Sequence, residues 1–98
     1  KFRPNDSGLL YLGSSAAKMM KDYVRAADLG ERMKLRKPDS LKNLINLANV
    51  HMLLRNYERA EEILIKARIL SPGHAKIQKL EEALQKQKTP ENLEEAWH

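Results

Sequence analysis

Cysteine is missing from all 98 residues. Disulfide scaffolds, thiolate-ligated zinc and thiol nucleophiles are therefore excluded. Aromatic residues make up 5%, thin for a surface that stacks sugars or bases. No apolar run approaches the roughly 20 residues that a membrane-spanning helix needs, and no apolar stretch follows a basic start as in a signal peptide. Membrane insertion and a signal sequence are accordingly not expected. Glycine and proline number four each and lie mostly between periodic stretches, so little of the chain reads as disordered. No targeting pattern assigns a compartment, and the cytoplasm stands only as the default.

Charge, by contrast, is plentiful: 18 Lys and Arg against 13 Asp and Glu give a formal net charge of +5. Between Arg32 and Lys42 the cations Arg32, Lys34, Arg36, Lys37 and Lys42 face Asp39 alone. A nucleic-acid surface would add aromatics or an extended basic stripe to such a cluster. Neither is present, and the cluster reads as a solvated helix end that suits the C-terminal dipole.

Catalytic signatures are also lacking. There is no G-x-S-x-G, and Gly13-Ser14-Ser15 reads as a small patch inside a helix. His51, His74 and His98 are scattered, with no H-E-x-x-H and no pair at i, i+4 for a metal. No catalytic residue, metal or cofactor is expected. His51 falls on the apolar stripe of its helix, which predicts a packed, hydrogen-bonded imidazole. The pairs Glu61-Glu62, Glu81-Glu82 and Glu94-Glu95 read as solvated helix faces. Asn5-Asp6-Ser7 fits a glycosylation sequon, which matters only in a secreted chain.

What the chain does contain is a repeat. Shifted by 34 residues, Asp22 falls on Asn56, Tyr23 on Tyr57, Arg25 on Arg59, Ala26 on Ala60, Asp28 on Glu62, Arg32 on Lys66 and Pro38 on Pro72. Leu41, Leu44, Leu47, Ala48, His51 and Leu54 recur at helical spacing, as do Tyr57, Ala60, Leu64, Ala67 and Leu70. Ser40 or Asp39 is the expected cap of the first of these helices and Asn56 of the second. Arg55-Asn56 leaves room only for a tight antiparallel turn, and Pro72-Gly73 stops the second helix. The unit is a helix–turn–helix.

The earlier copy predicts helices from about Ser7 to Met20, capped by Asp6, and from Tyr23 to about Arg36, capped by Asp22. Gly13 and Gly30 inside them cost up to about 1 kcal/mol each relative to alanine and predict close backbone approach. In a third copy, 75–87 places Ile77, Leu80 and Leu84 on one face, opposite Gln78, Glu81, Glu82 and Gln85. Thr89-Pro90 is a plausible helix start. Asn92-Leu93-Glu94-Glu95-Ala96 echoes Asn56 to Ala60, so a partial third repeat within a longer protein is expected. The organisation is 7–40, 41–74 and 75–98. Ile63 and Leu64 would stay exposed unless 75–87 covers them, which assigns that helix a capping role. Leu93 and Trp97 are left as an apolar edge, where a weak homo-oligomer could form.

These residues resemble the tetratricopeptide repeat. Counted from Leu41, Leu44, Leu47, Ala48, Tyr57, Ala60, Leu64, Ala67 and Pro72 match its pattern, and His51 departs from it. Counted from Ser7, Tyr23, Ala26 and Pro38 match. Leu12-Gly13 falls one residue early, which predicts a shorter first turn, and Gly30 and Met33 replace a large and a small residue. The resemblance implies an all-α fold in which antiparallel helix pairs stack as a short right-handed α-solenoid.

The resemblance also implies a non-catalytic protein-interaction module that holds a peptide or partner segment on its concave face. The positions that would face the ligand are Tyr11, Ser15, Lys18 and Met19 in the first copy. In the second they are Lys42, Ile45, Asn46, Asn49, Met52 and Leu53, and in the third Lys76, Lys79, Ala83, Lys86 and Gln87. Lysines among apolar residues suit a partner with acidic groups and an apolar anchor. A carboxylate clamp is matched only by Asn46 and Lys76, with Tyr11, Ser15 and Leu80 departing from it. Two other readings stay open: a basic helical-repeat module for RNA, and a scaffold or targeting arm of a larger enzyme.

Overall fold

The computed structural model describes residues 7–88. Five helices follow one another: α1 (Ser7–Met19), α2 (Tyr23–Arg36), α3 (Leu41–Leu53), α4 (Tyr57–Leu70) and α5 (Ala75–Lys88), with no strand among the described residues. α1 packs on α2 and α3 on α4, α2 joins the two pairs through α3, and α5 lies on α3 and α4. Asp6, the echo at 92–96 and the edge at Leu93 and Trp97 lie outside the described residues.

The repeat is legible in the turns, bond by bond. After α1, the Asp22 N–H donates to Ala17 O and the Lys21 N–H to Lys18 O; after α3, Asn56 donates to His51 O and Arg55 to Met52 O. Each is a Schellman closure, in which two crossed bonds satisfy carbonyls that the helix end leaves free. Lys21 (φ 63°) and Arg55 (φ 62°) occupy the left-handed position this closure requires. The first turn is therefore the same length as the second, not one residue shorter: both units demand the same reversal.

Proline sets the joints between units. Lys37 and Ser71, which precede Pro38 and Pro72, have φ/ψ of −136°/80° and −146°/83°. The proline ring clashes with a helical residue before it, so each helix ends there. Gly73 takes no part in the stop, because no glycine among the described residues has positive φ. A Cβ added at Gly73 would meet nothing within 4 Å. Gly73→Ala is therefore expected to raise stability by about 0.4–1 kcal/mol, by narrowing the unfolded ensemble. Chemical denaturation reads this directly, and a loss of stability would refute it.

Of the expected caps, Asp22 does cap, its Oδ1 accepting from the Arg25 N–H at 3.3 Å. Ser40 and Asn56 occupy cap positions but make no side-chain cap bond. The Asn56 amide turns instead to His51.

The main core joins Leu44, Leu47 and Ala48 of α3 to Ile63, Leu64 and Ala67 of α4 and to Ile77 and Leu84 of α5. Ile63 and Leu64 are each 1% exposed, so α5 covers them as a cap. Ala48, Ala60 and Ala67 are fully buried, and their small side chains let the helix axes approach. A smaller cluster around Ala17, Ala26, Ala27 and Val50 lies between the two pairs. Gly13 and Gly30 mark close approach: a Cβ at Gly13 would sit 3.1 Å from Leu29 Cδ1, and one at Gly30 2.7 Å from Leu47 Cδ1.

Polar bonds reinforce that first joint. Asn43 Nδ2 donates to Gly30 O at 3.1 Å, Asn46 Nδ2 to Ser14 Oγ at 3.1 Å, and Ser14 Oγ to Ala26 O at 2.7 Å. Asn43 and Ser14 are fully buried, where an unmade bond would cost about 1–3 kcal/mol.

Candidate functional site

The first helix of each unit contributes one wall of a groove of about 830 Å³. α1 supplies Tyr11, Ser15 and Lys18; α3 supplies Leu41, Lys42, Ile45, Asn46 and Asn49; α5 supplies Lys76, Lys79 and Leu80, with Ser40 and His74 at the joints. Tyr11, Lys18, Lys42, Ile45, Asn46, Asn49, Lys76 and Lys79 are thus brought together. Met52, Leu53 and Lys86 lie outside this lining; Met52 is half-buried against the main core and Leu53 is exposed.

The groove concentrates one sign of charge. Lys18, Lys42, Lys76 and Lys79 line it, no carboxylate does, and none of the four lysines makes an ion pair among the described residues. Lys42 Nζ lies 4.7 Å from the Tyr11 ring centroid, close enough for a cation–π contact that holds both in place. Ile45, Leu41 and Leu80 provide the apolar floor. Asn46 presents less than its sequence position implies, because one amide hydrogen is committed to Ser14. Carboxylates gather elsewhere: Glu61, Glu81 and Glu82 line a separate groove of about 420 Å³ between α4 and α5, where Arg68 pairs with Glu81 at 2.9 Å.

His51 is buried and hydrogen-bonded, as its stripe position predicts. Asn56 Nδ2 can only donate, and it donates to His51 Nδ1 at 3.4 Å. That fixes the ring proton on Nε2, which donates to Glu31 Oε2 at 2.9 Å. Glu31 also receives two bonds from Arg59, Nε to Oε2 at 2.9 Å and Nη2 to Oε1 at 2.5 Å. One carboxylate on α2 thus ties two residues of the second unit. Sequence reasoning missed Glu31, Arg59, Asn43 and the bonding role of Ser14. The one available signal was polar residues on a stripe that faces the neighbouring unit.

Burial alone would push the Glu31 carboxyl up. The bonds from Arg59 and His51, with the charge of Arg59, outweigh it and hold the group below its ordinary 4.5. A lowered carboxyl stabilises the fold above its unfolded value, and that stabilisation is lost as pH falls through the folded value. Glu31→Gln is therefore expected to cost roughly 1 kcal/mol near neutrality, since half-exposure screens the pair. The gap from the parent chain should narrow below the ordinary 4.5, as pH falls through the lowered folded value. Urea titrations across pH test this, and a constant gap would count against it.

The sequence matches the tetratricopeptide repeat family over residues 17–89. The chain belongs to this family. No curated protein matches it. Tetratricopeptide repeats are generally protein-interaction scaffolds and typically non-catalytic. The five helices correspond to about two repeats plus part of another. No described helix of this tetratricopeptide chain is long and apolar enough to cross a membrane.

Proposed function

We propose that the groove between α1, α3 and α5 binds a protein segment that carries carboxylates around an apolar anchor. The observation that carries this reading is the set of four lysines with no carboxylate beside them and Ile45, Leu41 and Leu80 beneath them. Clustered like charge in a concave surface raises the local concentration of an oppositely charged partner and speeds its encounter. Apolar side chains below then slow its departure.

The test is calorimetric titration with a synthetic peptide of Asp and Glu flanking one leucine, beside its Asn and Gln counterpart. The acidic peptide should bind more tightly, lose affinity as salt rises, and shift the amide signals of α1, α3 and α5. Equal affinity for the two peptides, or shifts confined to α2 and α4, would refute the proposal. So would displacement of the peptide by a single-stranded RNA that binds more tightly in the same buffer.

A further inference from the structure

Among the described serines, Ser40 alone both lies outside a helix and lines the groove. Its backbone is extended (φ −73°, ψ 101°) and its side chain makes no cap bond to α3. The five residues before it, Leu35 to Asp39, are all exposed. One turn bond, from the Ser40 N–H to Lys37 O at 3.2 Å, closes this connection. A surface segment so lightly held opens locally at small cost.

Two contrasts set the position apart. His74 stands in the register of Ser40 one unit later, and there Nδ1 accepts from the Lys76 N–H at 3.2 Å. Ser40 makes no such bond, so its hydroxyl can be modified without breaking a native contact. The second contrast lies upstream. Arg36 and Lys37, four and three residues before Ser40, are exposed and make no ion pair among the described residues. Ser71 also follows a cation by three residues, but Arg68 is held within α4 and paired with Glu81 at 2.9 Å. Free cations ahead of an accessible hydroxyl suit an enzyme that selects its substrates by basic charge.

The surroundings also suit the product. A phosphate brings a charge of about −1.5 to −2 and three acceptor oxygens. Lys42, Lys76 and Lys79 line the groove with Ser40, and no carboxylate does.

We propose that Ser40 is a phosphorylation site whose phosphate occupies the lysine end of the groove and excludes an acidic ligand from it. The exclusion rests on the groove being a ligand site; the acceptor itself does not. In the modifying step, Ser40 Oγ attacks the γ-phosphorus of a nucleoside triphosphate held by a protein kinase. An Oγ–phosphorus bond forms, the bond from that phosphorus to the bridging oxygen breaks, and a nucleoside diphosphate leaves while the hydroxyl proton passes to the kinase.

The test incubates the 98-residue chain with ATP and a purified protein kinase that selects a cation three residues before serine, and maps the product by mass spectrometry. Phosphate should enter Ser40 and be lost from that peptide in Ser40→Ala. Arg36→Ala with Lys37→Ala should slow its entry at least tenfold. No incorporation, or phosphate on Ser71 in place of Ser40, would overturn the proposal. Phosphorus NMR then follows the second ionisation of the attached phosphate. It should fall below the ordinary value of about 6 and rise again in Lys42→Gln with Lys76→Gln. An unshifted value in the folded chain would overturn the placement in the groove. Finally, the phosphorylated chain should bind the acidic peptide at least tenfold more weakly, and unchanged affinity would overturn the exclusion. A chain that binds no acidic peptide before modification would sink the groove's ligand and the exclusion together, whereas the mapping and the phosphorus titration would still decide the site.

Discussion

Leu47→Ala is expected to destabilise the chain by about 3 kcal/mol, a large share of the roughly 5–15 kcal/mol that holds a domain of this size. Leu47 is fully buried, belongs to the core shared by α3, α4 and α5, and also leans on the bare backbone of Gly30. Truncation therefore opens a cavity where two units meet. The sharper result is a change of sign at Gly30. In the parent chain, Gly30→Ala sets a methyl 2.7 Å from Leu47 Cδ1. Strain of about 1–3 kcal/mol then exceeds the ~1 kcal/mol gain in helix propensity. With Leu47 already alanine the obstacle is gone, and Gly30→Ala should stabilise by about 1 kcal/mol. Thermal unfolding of the four chains in this cycle decides the matter. Additive effects would mean that Gly30 is not there to receive Leu47.

Reversing Lys42 and Lys79 to glutamate should weaken the acidic peptide at least tenfold, about 1.4 kcal/mol. Most of that loss should appear in the on-rate and in a flattened salt dependence. The two lysines come from different helices and line one groove, so a ligand lying across it meets both. Lys42 also rests on Tyr11, and its loss frees that ring. A matched control separates local from overall charge. Arg32→Glu with Arg36→Glu removes the same net charge from α2, where neither residue lines the groove. If the control weakens binding as much as the groove variant does, the effect is one of net charge and the groove is not the site.

Much of this architecture was legible in the sequence because it rests on local physics. Proline at a fixed interval ends a helix whatever surrounds it, and Tyr57, Ala60, Leu64 and Ala67 announce a helix by spacing alone. Family resemblance extended this reading to a helical stack and to a lysine-rich face, and Tyr11, Lys18, Lys42 and Lys76 do share one groove. What escaped was the joint between the units. Ser14 read as part of a small patch inside a helix, and neither Asn43 nor Glu31 stood out by spacing. Each acquires its role only from a partner 12 to 32 residues away, and no period in the sequence encodes that pairing. The cap expected at Asn56 is not made for a related reason. Asn56 has a local bond available, but the imidazole of His51 competes for its amide.

The two seams of the array differ in kind. α3 meets α1 and α2 through buried directional bonds from Asn43 and Asn46 beside a small apolar cluster, whereas α5 meets α3 and α4 through a buried apolar contact of Ile77 and Leu84, its polar bonds, Arg68–Glu81 and Tyr57–Gln87, lying nearer solvent. Dispersion contacts permit two surfaces to slide with little penalty, but a hydrogen bond weakens steeply once its angle is lost. The helices that carry Lys18 and Lys42 are therefore tied by buried bonds, while those that carry Lys76 and Lys79 are held by apolar packing and by bonds nearer solvent. The register between the first two units is thus keyed by hydrogen-bond geometry, and that between α5 and the rest by the fit of apolar shapes.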